Sequence, residues 1–402
     1  MRHHYMLKTY RYRLYPNRRQ QELLRKNIDA CRFVYNWALD LRKRVYEDEY
    51  RALSWYDVNK ELTRLKKQET WLRDAYSQSL QMAVRRVDLA FKHFFRRVKN
   101  GETAGFPKFK SRRRAVQSFD VPQFLVVEFA RKRRRIPKIG HVKAILHREF
   151  DGQIRCAVVT MTKTKSYFIS IVVEPNVRPP EKPIVCEERT IGIDLGINNY
   201  ATTSNGEQIE NPRHLEDSLH RLGVLQRRLS RKRMGSRNRK KAKLRVAELH
   251  EKIRSQRNDF QHKLSTRLVR ENQGIAVEDL NVLGMLRNNH LSRRISDAAW
   301  SSFLWMLEYK CEWNGATLIR IGRFEPTSKM CNVCGHKNDT LTLSDRDWMC
   351  PKCETTHDRD INAALNIKRL GLESVTPRGP GEVPVDLSRS EGMKQEVTNI
   401  CR

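Results

Sequence analysis

Two Cys-x-x-Cys pairs stand late in the chain, Cys331/Cys334 and Cys350/Cys353, with 15 residues between them. Four thiolates at this spacing fit a tetrahedral zinc site with metal–sulfur bonds of about 2.3 Å. Gly335 follows the first pair, where a tight knuckle favours a residue free to take positive φ. Four sulfur ligands close the coordination shell, so such an ion is structural and chemistry must come from nearby acids. Those acids are Asp358 and Asp360 in HDRDINAALNI, residues 357–367. Ala363, Ala364, Leu365 and Ile367 predict a helix from Asp360 onward. An acid in its first turn can cap the helix or bind a metal.

Two upstream stretches offer further acids. In TIGIDLGINNYATTSNGEQIE (190–210), an apolar strand closes on Asp194, Gly196 turns the chain, and Tyr200–Thr203 returns as a second strand. Asn205-Gly206 predicts a tight turn into a third. A carboxylate at the end of a central strand is where an RNase H-like sheet holds a metal ligand. GIAVEDLN (274–281) is another apolar strand, ending on Glu278. Asp194, Glu278 and Asp360 could thus converge on one pocket. Their hard oxygens suit Mg²⁺. Two such ions about 3.5–4 Å apart can activate a water and stabilise the leaving oxygen of a phosphodiester.

The order GIDLG, VEDL, four-Cys segment, HDRDINAALNI resembles the TnpB/OrfB proteins of insertion sequences, RuvC-type nucleases related to the type V CRISPR effectors. RLYPN (13–17), GFPKFK (105–110), ISDAAW (295–300) and TSKMC (327–331) carry the resemblance over about residues 5–370. It implies an RNA-guided DNA endonuclease with Asp194, Glu278 and Asp360 as the metal-binding catalytic triad. The family pattern Asp-x-Asn falls on Asp360-Ile361-Asn362, which selects Asp360 over Asp358. The implied cofactors are two Mg²⁺ (or Mn²⁺) ions and one structural Zn²⁺. The implied partners are a guide RNA from the insertion-sequence end and double- and single-stranded target DNA, with one RNA per monomer. The guide would read the target, and the protein a short flanking motif. Glu354 departs from the family, whose ribbon often carries Gly after the last Cys. Two other readings share these features: a transposase-type strand-transfer enzyme, and a non-cleaving RNA-guided repressor. The presence of all three acids disfavours the repressor.

Composition agrees with a polyanionic partner. Among 402 residues, 79 Lys and Arg face 46 acids, for a net charge of +33. Such a field binds phosphate backbones through counterion release. No apolar run reaches the ~18 residues of a spanning helix. The first residues, MRHHYMLKTYRYRLYP, lack a signal-peptide core. The five cysteines outside the paired motif are scattered rather than framed for disulfides. A prokaryotic cytoplasmic protein, associated with the nucleoid through DNA, is expected.

The elements that must hold these residues read as a multidomain α/β and α+β chain. Residues 1–15 and 101–178 predict a small β-barrel, with a helical bundle inserted at 16–100; the resemblance implies that these are a wedge-type barrel and a recognition bundle. The barrel takes in strands at Phe124–Phe129, Ala157–Met161 and Tyr167–Val173. Asn17 with Gln20, and Ser54, predict helix starts. Two basic loops are expected to grip nucleic acid. The first is GFPKFKSRRR, with Phe106, Lys108, Phe109, Lys110, Arg112, Arg113 and Arg114. The second is ARKRRRIPKIG, with Arg133, Arg134 and Arg135. Their aromatics could stack on bases while the cations hold phosphates. After the Pro-rich linker NVRPPEKP, a RuvC/RNase H-like domain is expected at 184–325 and 357–370. It carries a helical insertion at 212–272, whose cationic break RKRMGSRNRKKAK is expected to touch duplex. Leu291–Trp313 predicts one further helix, and Thr317–Ile321 a strand. The zinc ribbon is placed at 326–356. Residues 371–402, rich in Pro, Gly and charge, predict a disordered tail.

Overall fold

Alternation of polar and apolar residues makes strand β1 (Lys8–Tyr15), with Tyr12 and Leu14 buried. Asn17 then caps helix α1 (Arg18–Glu49) in the expected box: its Oδ1 accepts from Gln20 N–H, and Gln20 Oε1 accepts from Asn17 N–H. The same device, Ser54 with Asp57, starts α2 (Trp55–Gln68). A third helix, α3 (Ser77–Lys99), follows. The computed structural model describes residues 6–113, 116–177, 180–323, 325–342 and 345–375. It forms two compact units, the first ending at residue 178 and the second beginning at 179.

In the first unit six more strands follow: β2 (Gln117–Val121), β3 (Val126–Glu128), β4 (Arg133–Ile136), β5 (Gly140–Ala144), β6 (Gln153–Met161) and β7 (Tyr167–Glu174). The sheet is antiparallel in the order β2-β6-β7-β1-β5-β4-β3. The N-terminal strand therefore sits at its centre. Its inner face and the three helices share one apolar core, with Leu24, Leu39, Leu80, Phe119 and Ile169 fully buried. Three expectations change. Among the described residues β2 and β3 do not pair, so the sheet is open rather than closed as a barrel. The strand expected at 124–129 keeps only three residues, because Phe124 turns left-handed at φ +59°. The second basic stretch is a strand, not a loop: β4 alternates exposed and buried residues from Arg133 to Ile136.

In the second unit β8 (Thr190–Asp194), β9 (Asn199–Thr203) and β10 (Gln208–Glu210) pair antiparallel. Two long helices follow, α4 (His214–Ser230) and α5 (Arg237–Glu271). Then come β11 (Gly274–Glu278), α6 (Val282–Met285), α7 (Ser292–Ala298), α8 (Trp300–Asn314) and β12 (Thr317–Ile321). The sheet order is β10-β9-β8-β11-β12, with β8, β11 and β12 mutually parallel. The single helix expected at 291–313 is two, broken where Ala299 takes φ +51°. The carbonyls freed there are satisfied internally. Gln261 Nε2 donates to Ala298 O at 2.9 Å and Ala299 O at 3.1 Å, and the Tyr200 hydroxyl donates to Ala298 O at 3.2 Å.

The short hairpin β13 (Asp347–Met349) and β14 (Thr356–Asp358) leads into α9 (Arg359–Val375), which lies on β8 and β11. Two glycines set its height. A Cβ on Gly192 would stand 2.1 Å from Ala364 O, and one on Gly371 would stand 2.7 Å from Ala276 Cβ. The helix thus runs five residues past the expected start of the tail, and residues 376–402 lie outside the described residues. Val375 packs on the patch of Ala276, Ile319 and Ile367. A chain ending at Leu370 should melt lower than one ending at Val375. Loss of about 1–2 kcal/mol of apolar burial corresponds to roughly 2–8 °C. Equal midpoints in calorimetry would show that the last turn adds nothing.

Candidate active site and metal centre

Asp194 and Glu278 are the last residues of β8 and β11. The strands run parallel with Ile193 opposite Val277, so the two carboxylates stand side by side at the same sheet edge. Asp360 enters from the first turn of α9. The grouping is electrostatically visible. Burial, then the charges of Glu278 and Asp360, push the Asp194 carboxyl up to about 7, while Arg359 and Arg346 pull the other way. Burial also raises Glu278, whose Oε1 accepts from the Thr327 hydroxyl at 2.6 Å.

The neighbouring acids are otherwise employed. Asp358 Oδ1 accepts from the backbone N–H of Asp360 and of Ile361, both at 2.9 Å, so Asp358 caps α9. Its Oδ2 accepts from Gln208 Nε2 at 3.1 Å. Asp279 is held by Arg323 at 2.6 Å.

Four residues contribute beyond the three acids. Thr327 orients Glu278, as described. Asn362 and Asn366, both buried on α9, donate to Met330 O at 2.8 and 2.6 Å, and Asn362 Oδ1 accepts from Asn332 N–H at 3.0 Å. They clamp the start of the cysteine segment onto the helix bearing Asp360. Asn366 Nδ2 also donates to Thr327 O at 2.8 Å, which ties Glu278's partner to the same helix. Arg346 Nη1 reaches Asp360 Oδ1 at 3.2 Å, from the far arm of that segment. TSKMC and Asp-x-Asn marked Thr327 and Asn362 only as pattern; Arg346, in a stretch without periodicity, gave no signal.

The four cysteines meet as expected. Their Sγ atoms all lie within 4.8 Å of one another, and Cys331–Cys353 and Cys334–Cys350 are each 3.6 Å apart. A sulfur tetrahedron around zinc has edges of about 3.8 Å, so this cluster could hold a metal such as zinc. The two knuckles have the same geometry. Gly335 N–H donates to Cys331 O and Glu354 N–H to Cys350 O, each at 2.9 Å. Gly335 takes φ +71° and Glu354 φ +59°. Glu354 therefore adopts the left-handed turn that Gly adopts freely, at a cost of about 1 kcal/mol. His357 Nε2 lies 3.1 Å from Cys331 Sγ, buried against the Trp348 ring. It joins the cysteine cluster to the residue before the helix cap.

Three family models match the chain: "Probable transposase" (OrfB_IS605) at residues 170–289, "Cas12f1-like, TNB domain" at 300–367, and "Helix-turn-helix domain" at 6–50. A protein of Streptomyces pristinaespiralis named "Putative RNA-guided DNA endonuclease" is 38% identical over 91% of this chain and 89% of its own length. The chain belongs to the TnpB/OrfB family. InsQ of Escherichia coli (strain K12), named in the same words, is 30% identical over 91% of this TnpB/OrfB chain and 92% of its own. The fold of a Cas12f1–sgRNA–target DNA complex also matches, with TM-score 0.56 and 14% identity, covering 90% of this chain and 98% of that one. Over residues 6–50 this family member shows a strand and one unbroken helix, with no turn between two helices.

The nucleic-acid candidates of this TnpB/OrfB chain fall into two groups. Lys108, Phe109, Arg112, Arg113, Arg133 and Arg135 are exposed, and Phe106 is partly so while packing edge-on against Phe91 and Phe94. Arg114 lies outside the described residues. Two others turn inward. Lys110 Nζ stands 3.8 Å from the centre of the Tyr35 ring, and burial draws its ammonium down to about 8. Its backbone is pinned to Asn36 by hydrogen bonds of 2.7 and 3.0 Å. Arg134 is fully buried, 4.4 Å over the Tyr12 ring, with burial drawing it down to about 10. The period-two alternation of β4 aims it into the core between two outward arginines. Neither side chain is offered to a polyanion.

Proposed function

We propose that the chain is an RNA-guided DNA endonuclease that hydrolyses phosphodiester bonds next to a short flanking motif. The observation that carries this reading is the meeting of Asp194, Glu278 and Asp360 at one edge of the β8–β11 sheet, close enough to raise the Asp194 carboxyl to about 7. Perturbed acids gathered at strand ends are what a hydrolytic metal site requires. The relatives' names support the guided character of the reaction. In this reading β8–β12 with α9 form a RuvC-type, RNase H-like domain, and residues 326–356 form a zinc ribbon. The first unit grips the guide RNA.

The donor set fits hard divalent ions. Three carboxylates supply oxygen only, and two of them are desolvated. Such a set suits two Mg²⁺ ions, which when bound would activate water and neutralise the leaving oxygen. Thr327 holds Glu278 Oε1 and leaves Oε2 free to turn to the site. Arg346, paired with Asp360, places a cation beside the carboxylates where the charge of a scissile phosphate would come. Asp358, by capping α9, fixes the direction in which Asp360 points.

Reprogramming tests this reading. The protein purified with its co-expressed insertion-sequence end should retain a discrete RNA. Replacing that RNA's guide segment should move cleavage to the new matching sequence in the presence of Mg²⁺. Cleavage that ignores the guide, or products joined to a second DNA, would favour strand transfer instead.

A further inference from the structure

Arg134 is a cation buried without a counter-charge. The alternation of β4 turns it inward between Arg133 and Arg135, and none of it reaches solvent. Its cross-strand neighbours are Val127 on β3 and Val142 on β5, whose side chains offer no acceptor. Among the described residues Nε, Nη1 and Nη2 have no hydrogen-bond partner. The guanidinium lies 4.4 Å over the Tyr12 ring, and burial holds the Tyr12 phenol up, so that ring is neutral. Even drawn down to about 10, Arg134 keeps its charge at neutral pH. A guanidinium deprived of both water and acceptors strongly destabilises the fold that encloses it.

The acids of the unit do not relieve it. Asp120, also buried, is taken by Arg86. Glu128 stands opposite Arg133, on the other face of the sheet. Glu149, whose charge is felt at Tyr12, is exposed and in no ion pair among the described residues. A second cation stands close by. Arg148 Cζ is 5.7 Å from the centre of the Tyr10 ring, which stacks on Tyr12 at 6.5 Å. Its charge also reaches Tyr12, and it too is in no ion pair among the described residues. Residues 145–150 pass this pair of rings without regular structure. The Tyr12 hydroxyl donates to Arg148 O at 2.8 Å, and Ile145 N–H donates to Arg13 O at 3.1 Å.

We infer that Arg134 and Arg148 form a site for one small inorganic oxyanion of the phosphate class, enclosed by residues 145–150. The fork of Arg134 matches two oxygens of such an ion at once. Entry requires residues 145–150 to lift, which breaks the Tyr12–Arg148 hydrogen bond. Complete burial of Arg134 suits a free ion that can be enclosed, not a link in a polymer. The ion would stabilise the sheet around β1. The site is independent of the carboxylate cluster and of the nuclease reading.

The test compares the full-length chain with Arg134→Met and Glu149→Gln by calorimetric melting, in sodium phosphate against sodium chloride at equal ionic strength. Wild-type protein should melt higher in phosphate, by about 3 °C or more at ten times the dissociation constant. Arg134→Met should lose that response and melt at or above wild type in chloride, because an apolar chain replaces an unpaired charge. A phosphate response that persists in Arg134→Met would belong to surface cations and overturn the proposal. Glu149→Gln removes a competing carboxylate and should tighten phosphate binding about threefold or more. Unchanged affinity there would overturn the proposal even if Arg134→Met failed to fold. Should Glu149 itself be the partner of Arg134, wild type will show no phosphate response and Glu149→Gln will melt lower, which also overturns it. Protein carrying its RNA should keep the phosphate response. Its loss there would assign Arg134 to a nucleic-acid phosphate and overturn the free-ion site.

Discussion

Changing Asp194, Glu278 or Asp360 to Ala lowers metal-dependent cleavage by at least about 10³-fold, the equivalent of about 4 kcal/mol of transition-state stabilisation. Affinity for nucleic acid changes little, because removing one carboxylate from a basic protein removes no phosphate contact. Single-turnover cleavage and equilibrium binding on the same preparations separate the two. Asp358→Ala behaves differently. It removes a helix cap worth about 1 kcal/mol, so it lowers stability and slows cleavage by no more than about tenfold. A severe defect in Asp358→Ala with an active Asp360→Ala would reverse the assignment. The cluster also sets a pH dependence. Burial, Glu278 and Asp360 hold the Asp194 proton up to about 7, and a metal ion must displace that proton. Divalent-ion affinity should therefore strengthen from about pH 6 to about pH 8. A flat calorimetric profile across that range would contradict the desolvated, crowded site.

Changing Cys331 or Cys350 to Ser releases one zinc per chain and unfolds the hairpin that carries Arg346. Structural zinc sites couple about 10 kcal/mol or more of metal binding to local folding. Both residues are fully buried in the cluster, so the hydroxyl has neither the sulfur–metal bond nor a substitute partner. Cleavage falls as well, because Asn362, Asn366 and Thr327 tie the cysteine segment to Asp360 and Glu278. His357→Leu should keep the metal but weaken its binding about 10–100-fold, through loss of the contact to Cys331 Sγ. Elemental analysis decides both. Wild-type protein without zinc, or a Cys331→Ser protein that retains it, would refute the assignment.

Local signals were legible wherever a short-range rule governs. The capping box of Asn17 and Gln20 needs only residues three apart. The apolar stripe of α1 needs only helical spacing. The Cys-x-x-Cys pairs need only a turn and a metal. Legibility failed where a distant partner intervened. The stretch at 291–313 has helical periodicity throughout, yet it breaks at Ala299. Gln261 and Tyr200, far away in the chain, satisfy the carbonyls that the break releases. Residues 130–140 carry six Lys and Arg and look like a loop, yet cross-strand pairing with β3 and β5 makes a strand and buries Arg134.

The acids themselves show the same division. Their types and their places at strand ends and a helix start were determined by sequence alone, because apolar runs and helix signals are local. For Asp358 and Asp360 the family pattern favoured Asp360, and only the tertiary structure supplies a physical reason for that choice. Both can accept the backbone N–H groups of a helix start, and the choice falls to whichever residue's geometry reaches them. Asp358 takes the cap, and Asp360, one turn-position on, is left to meet Arg346 and the ends of β8 and β11. That meeting depends on Gly192 and Gly371 letting α9 settle onto the sheet, a close approach between residues no sequence window spans.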